Sequence, residues 1–169
     1  FDQIDVFFSE GQMYCRRLLY NYYSSRVLLH TQKNELDRAA YFGELSVRQS
    51  NEDTLMYVNN LVSIYIRLND FEKALQLLQD YQTTFDSSHN YHQKITYFSY
   101  NLRVLGELNF IKKAVNQGLY FINKYESEIL KYRWHLFFTT YLHLLLKAED
   151  YDTVVALDKK YNLTLLEQQ

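Results

Sequence analysis

The sequence predicts an all-α fold, and three observations carry the prediction. Its 169 residues contain no proline and only four glycines, too little turn punctuation for the many short strands of a sheet protein. Apolar residues recur at helical spacing, as in Leu55, Val58, Leu61, Val62, Tyr65 and Leu68. The segment Leu68–Ala74, Leu-Asn-Asp-Phe-Glu-Lys-Ala, is echoed at Lys33–Ala39, Leu108–Ala114 and Ala148–Val154. Each copy closes an amphipathic run with a polar turn, then sets an apolar residue and, three places later, a small or β-branched one. The final residues, at 39, 74, 114 and 154, lie 35, 40 and 40 apart, the range of helix-pair arrays.

The elements follow in chain order. Residues 1–9, with Ile4, Val6, Phe7 and Phe8, are expected to end a preceding element or cap the array. Gln12 to Gln32 carries Tyr14, Leu18, Leu19, Tyr22, Tyr23, Val27 and Leu28 on one periodic face. Asn34 is the expected N-cap of the next helix, with Asp37 in its first turn. Ala39 and Gly43 stand four apart there and leave a nearly bare face for a close neighbour. Ser50 to Asp53 reads as the start of the second pair, and Asn69 with Glu72 as a capping box opening its second helix. Phe71, Ala74, Leu75, Leu78 and Tyr81 belong to that helix. Thr84 to Asn90 is the most polar stretch and is expected to be a loop.

The third pair places Ile95, Phe98, Leu102, Leu105 and Leu108 on its first helix. Ile111, Ala114, Gly118, Phe121 and Ile122 lie on its second, again with a small pair four apart. The fourth pair is expected from near Ser127, with Trp134, Phe137, Phe138, Tyr141, Leu142 and Leu145, then a short helix with Tyr151, Val154, Val155, Leu157 and Tyr161. Residues 162–169 read as the start of one more helix. The approximate repeats are thus 12–50, 51–90, 91–126 and 127–161 within a single domain.

Composition excludes several classes. Hydrophobic content of 47% against 22% charged residues is that of a chain with a core. Eighteen basic and 20 acidic residues are well mixed, for a net charge of −2, and basic residues cluster no further than pairs such as Arg16-Arg17. No nucleic-acid partner is expected from such a surface. No apolar run approaches the roughly 20 residues that span a bilayer, so no membrane insertion is expected. The single cysteine, Cys15, has no intrachain partner and reads as a small buried hydrophobe. The chain begins with Phe1 and lacks a basic head followed by an apolar core, so it reads as a segment of a longer protein or as a processed product, and a cytoplasmic location is expected.

Laid over one another, the four units resemble the tetratricopeptide repeat. The second unit carries the likeness best, through Leu61 and Tyr65, the Asn69-Asp70 turn, and Phe71, Ala74 and Leu78. The third keeps Leu105, Leu108 and Ala114 but has Asn101 where the pattern wants an apolar residue. The first keeps Tyr23, Leu36 and Ala39. The fourth keeps Phe138, Leu142 and Tyr151, with Val154 in place of the small residue. The closing proline is absent throughout, and two of the intervals exceed the usual repeat, so the resemblance is to a degenerate array. It implies a right-handed superhelix of antiparallel helix pairs, an α-solenoid of about four repeats. Such arrays are common in bacterial proteins.

In that arrangement the first helices line a concave groove, and three polar stripes on them become candidates for partner binding. They are Asn59, Ser63 and Arg67; Ser99, Arg103 and Glu107; and Thr139, His143 and Lys147, each spaced i, i+4, i+8. Asn21 and Ser24 are a less regular counterpart on the first unit. Arg67 and Arg103 suit a carboxylate on a bound chain, since the guanidinium fork binds it in a bidentate way. The competing expectations are that the stripes are simply the solvated faces of amphipathic helices, and that Arg103 pairs with Glu107.

No chemistry announces itself beside them. The five histidines form no His-Glu-x-x-His or i, i+4 pair, and His89 with His92 has only Asp86 nearby. Tyr132, Trp134, Phe137 and Phe138 wrap around their helix and read as packing, not as a stacking platform. There is no phosphate-binding glycine loop and no nucleophile elbow. The expected function is a protein- or peptide-binding scaffold without cofactor, metal or enzymatic activity. Two alternatives remain open: a signal-peptide-sensing domain of a larger regulator, and a structural module that forms homo-oligomers.

Overall fold

The computed structural model describes residues 16–50, 54–132 and 134–163. The expected cap at residues 1–9, Tyr14, Cys15, the helix start at 51–53 and the tail 164–169 lie outside the described residues. So do the side chains of Arg16, Arg17, Leu18, Tyr20 and Trp134. The fold is all-α: the described residues form helices joined by turns, with no strand among them.

The helices are α1 (Arg16–Gln32), α2 (Leu36–Gln49), α3 (Thr54–Arg67), α4 (Phe71–Asp80), α5 (Gln82–Ser87), α6 (Tyr91–Glu107), α7 (Ile111–Tyr132), α8 (Trp134–Lys147) and α9 (Tyr151–Tyr161). They fall into two compact units, Phe1–Thr84 and Phe85–Gln169, where the sequence suggested one continuous array. In the first unit α1 packs on α2, α2 on α3 and α3 on α4. In the second, α6 packs on α7 and α8, α7 on α8, and α8 on α9.

The same turn closes four hairpins. After α1, α3, α6 and α8 the chain takes a residue with positive φ: Asn34 (58°), Asn69 (57°), Asn109 (63°) and Glu149 (59°). The next amide then reaches back five residues along the helix. Glu35 donates to the His30 carbonyl at 2.9 Å, Asp70 to Tyr65 at 2.9 Å, Phe110 to Leu105 at 2.8 Å and Asp150 to Leu145 at 3.0 Å. This is the Schellman closure, which satisfies carbonyls a helix end would otherwise leave bare. Three connecting residues can only return the chain alongside itself, so each pair is an antiparallel hairpin.

That geometry corrects the expected caps by one residue. Asn34 and Asn69 occupy the left-handed closing position, which asparagine tolerates better than most side chains. The N-cap falls on the following residue. Asp70 accepts from the Lys73 amide at 3.2 Å and Asp150 from the Thr153 amide at 3.2 Å. Glu35, in the same place before α2, makes no side-chain cap bond.

Small residues sit where helices cross. Ala39, Ala74 and Ala114 are completely buried, whereas Val154 of the fourth hairpin is only half-buried. Gly43 lies against Leu61 of α3, and a Cβ at Gly118 would overlap the ring of Tyr141 on α8. Both contacts match the bare faces read from the sequence.

Two boundaries differ from expectation. The polar stretch after Thr84 is not wholly a loop, because α5 runs through Ser87 and buries Phe85 against Tyr97, ring centroids 4.8 Å apart. One apolar residue suffices to anchor it. The expected start of a new unit near Ser127 falls inside α7, which bends at Tyr125 (φ −131°, ψ 27°) and continues to Tyr132. Ile129, 1% exposed, holds that last stretch in the core. An aromatic stack fills the second unit: Phe98 lies 3.9 Å from Phe121 with rings nearly parallel, and Phe137 is 5.7 Å from Phe121. Asn101, out of place in the repeat pattern, donates across the hairpin to Gln117 at 3.1 Å.

Candidate functional site

The stripes on α6 and α8 meet in a cleft of about 280 Å³ lined by Arg103, Gly106, Glu107, Thr139, Thr140, His143, Leu144 and Lys147. Five of the nine stripe residues, Arg103, Glu107, Thr139, His143 and Lys147, are therefore brought together. The register comes from the floor, where Gly106 gives Leu144 room to approach the α6 backbone. It also comes from an ion pair at the C-terminal ends, Lys147 Nζ to Glu107 Oε1 at 3.3 Å. Lys147 is thus the acid's partner, and the expected Arg103–Glu107 pairing is absent. Arg103 and His143 are both exposed and make no hydrogen bond or ion pair with any described residue.

The remaining stripe residues behave differently. Ser99 is fully buried and its hydroxyl donates to the Ile95 carbonyl at 2.7 Å. Asn59 is 2% exposed. Neither lies at a surface that a partner reaches, which corrects the expectation for both. Four residues turn an α-helix through about 400°, so an i, i+4, i+8 stripe drifts by about 80° over its length. On α3 and α6 that drift carries the first residue under a neighbouring helix. Ser63 donates to the Asn60 carbonyl at 2.7 Å, and Arg67 reaches the Asn34 side chain at 3.2 Å, bracing the first hairpin's turn. Asn59, Ser63 and Arg67 belong to the first unit, and the other six to the second.

A second cleft, of about 330 Å³, was not anticipated. It lies in the first unit among α2, α3, α4 and the residue after it, lined by Val47, Arg48, Leu61, Lys73, Leu77 and Tyr81 among others. Tyr65 at its edge donates to Glu44 at 2.8 Å, and burial together with that carboxylate pushes its hydroxyl pKa up. Lys73, Leu77 and Tyr81 are spaced i, i+4, i+8, but the cleft exists only where α2 and α3 bring Glu44, Arg48, Leu61 and Tyr65 against them, which no single helix's pattern signals.

Of the aromatic candidates, Tyr132 is exposed, whereas Phe137 and Phe138 are structural. Phe137 and Phe138 are 0% and 1% exposed and meet edge to face at 5.5 Å. Among the described residues no three histidine, cysteine or acidic side chains converge to hold a metal ion, and no helix is long and apolar enough to cross a membrane.

The geometry defines a class: an all-α protein of helix hairpins with a polar cleft between two parallel-register first helices. Comparison with protein-family models, with curated proteins and with solved structures returns no match.

Proposed function

We propose that the chain is a protein-interaction module, a tetratricopeptide-like array of helix pairs that holds an acidic segment of a partner in the α6–α8 cleft. The four recurring turns support the repeat reading. So does the second unit's packing, in which α6 borders both its own partner, α7, and the next first helix, α8.

The observation that carries the proposal is Arg103 beside His143 in a cleft whose one carboxylate is already engaged by Lys147. Two basic groups without a local anion form a surface complementary to a carboxylate, and the guanidinium binds one with defined orientation. The half-apolar floor of Gly106 and Leu144 adds a shallow contact for the bound chain.

Selection from a random dodecapeptide display library tests this. Peptides enriched on the wild-type protein carry Asp or Glu, and the Arg103→Ala/His143→Ala double variant, with unchanged circular dichroism, loses them. Enrichment without acidic residues, or equal retention by the variant, moves the binding site elsewhere.

A further inference from the structure

The register of α6 against α8 sets out rungs of matched residues. Lys147 sits on Glu107 at 3.3 Å, and Leu144 lies against Gly106. Four residues earlier on each helix, one turn nearer the N-termini, His143 comes level with Arg103, and both line the cleft. The rung at the end is a matched ion pair. The next one sets an imidazole level with a guanidinium whose neighbouring acid, Glu107, is engaged by Lys147.

Resting on the interaction-module reading, we infer that His143 makes the cleft a proton-gated carboxylate seat, whose grip on an acidic side chain of the partner tightens as pH falls. Neutral imidazole leaves Arg103 alone to hold the carboxylate. Protonated imidazole adds a second cation and a second charged donor, but bears on Arg103 as a like charge when the cleft is empty. The carboxylate relieves that repulsion, so binding and proton uptake favour each other; linkage makes the effect reciprocal. Imidazole is the side chain that changes charge between about pH 5 and 8, whereas a partner's Asp or Glu stays ionised over the upper part of that window.

The charged groups that line the cleft with His143 are Arg103 and Glu107 from α6 and Lys147 from its own helix. Among the described residues, no titratable group of α7 or α9 lines it. Glu107 is the one group that favours protonation of the empty site, and Lys147 holds it. The seat has lining on both sides, Thr139 one turn before it and the Lys147–Glu107 pair one turn after. That arrangement suits a chain passing through, which is why an internal acidic side chain, not a chain terminus, is the occupant.

The test measures anisotropy of a fluorescein-labelled peptide, Gly-Ser-Asp-Glu-Asp-Ser-Gly with blocked ends, at about pH 8.0 and about pH 6.0. The wild type binds roughly two- to fivefold tighter at the lower pH, the size of one exposed ion pair. In His143→Gln the ratio between the two pH values falls to about one. In His143→Arg it is also about one, with affinity at or above the wild type's low-pH value. Arg103→Ala weakens binding roughly tenfold or more at either pH. Wild-type binding with no pH dependence, or dependence surviving in His143→Gln, overturns the gate while leaving the interaction module standing. No binding of the acidic peptide at either pH overturns both. Preference for a neutral peptide with a free C-terminus overturns the choice of occupant.

Discussion

Ala74 and Ala114 hold corresponding places in two hairpins, three residues into the second helix, and both are completely buried. Side chains larger than methyl have no room there without moving the paired helix. Replacing either with Leu is expected to cost about 1–3 kcal/mol by overpacking, measured as the shift in chemical-denaturation midpoint at unchanged slope. At the same scale, Glu126 of α7 accepts from Tyr161 and lies 2.7 Å from Lys160, both on α9. The bonds from Lys160 and Tyr161 hold its carboxyl below the usual carboxylate range. A carboxyl whose folded-state pKa is depressed contributes its stability above the unfolded value and loses it as pH falls through the folded one. The thermal midpoint should therefore drop on the acid side of the carboxylate range. Glu126→Gln should lower the plateau near neutrality and flatten that acid limb, as scanning calorimetry from about pH 6 to about pH 3 will read. Glu35, lowered by its hydrogen bond with His30, and Asp70, lowered by Lys73, act in the same direction.

The hairpins are the element that repeats, and their turns are more uniform than their sequences. Asn109 adopts φ of 63° and its amide closes on the Gly106 carbonyl at 3.2 Å. A left-handed residue with an ordinary side chain carries a penalty that glycine escapes. Asn109→Ala should then destabilise by about 1 kcal/mol while Asn109→Gly is neutral or better, again by denaturant midpoint. A reverse order would mean that the asparagine side chain, not its backbone tolerance, is what the turn needs. The existence and period of these hairpins were legible because a polar turn, an apolar residue and a small residue recur in one order. Their caps were misplaced by one residue because asparagine serves both as an N-cap and as a left-handed closer. The positive φ of Asn69 and the backbone bond from Asp70 to Tyr65 distinguish the two.

At the scale of the molecule, each compact unit has its own packed interior. In the second it is the stack of Phe98 on Phe121 with Phe85, Tyr97 and Phe137 around it. Tyr141, whose hydroxyl donates to the Val115 carbonyl, is held by burial at a pKa raised to about 12. A core of that kind is what an autonomous folding unit requires. Residues 85–169 expressed alone should therefore give a helical far-ultraviolet spectrum and one cooperative thermal transition. A broad, non-cooperative melt would show that this half depends on the rest of the chain.

By itself the sequence determined the all-α class, the four helix hairpins and the bare faces at Ala39 with Gly43 and at Ala114 with Gly118, because these depend on local periodicity and on side-chain volume. It also picked out Arg103, Glu107, Thr139 and His143, since residues four apart share a helix face whatever surrounds them. The tertiary structure alone decided which faces meet. It hid Ser99 and Asn59, tied Arg67 to Asn34, seated Lys147 on Glu107, and left Arg103 level with His143. The physical reason is that a helix's pattern specifies an angle around its own axis. The residue facing it across a cleft depends on the register between two helices, and here Gly106 and Leu144 set that register by how closely they pack.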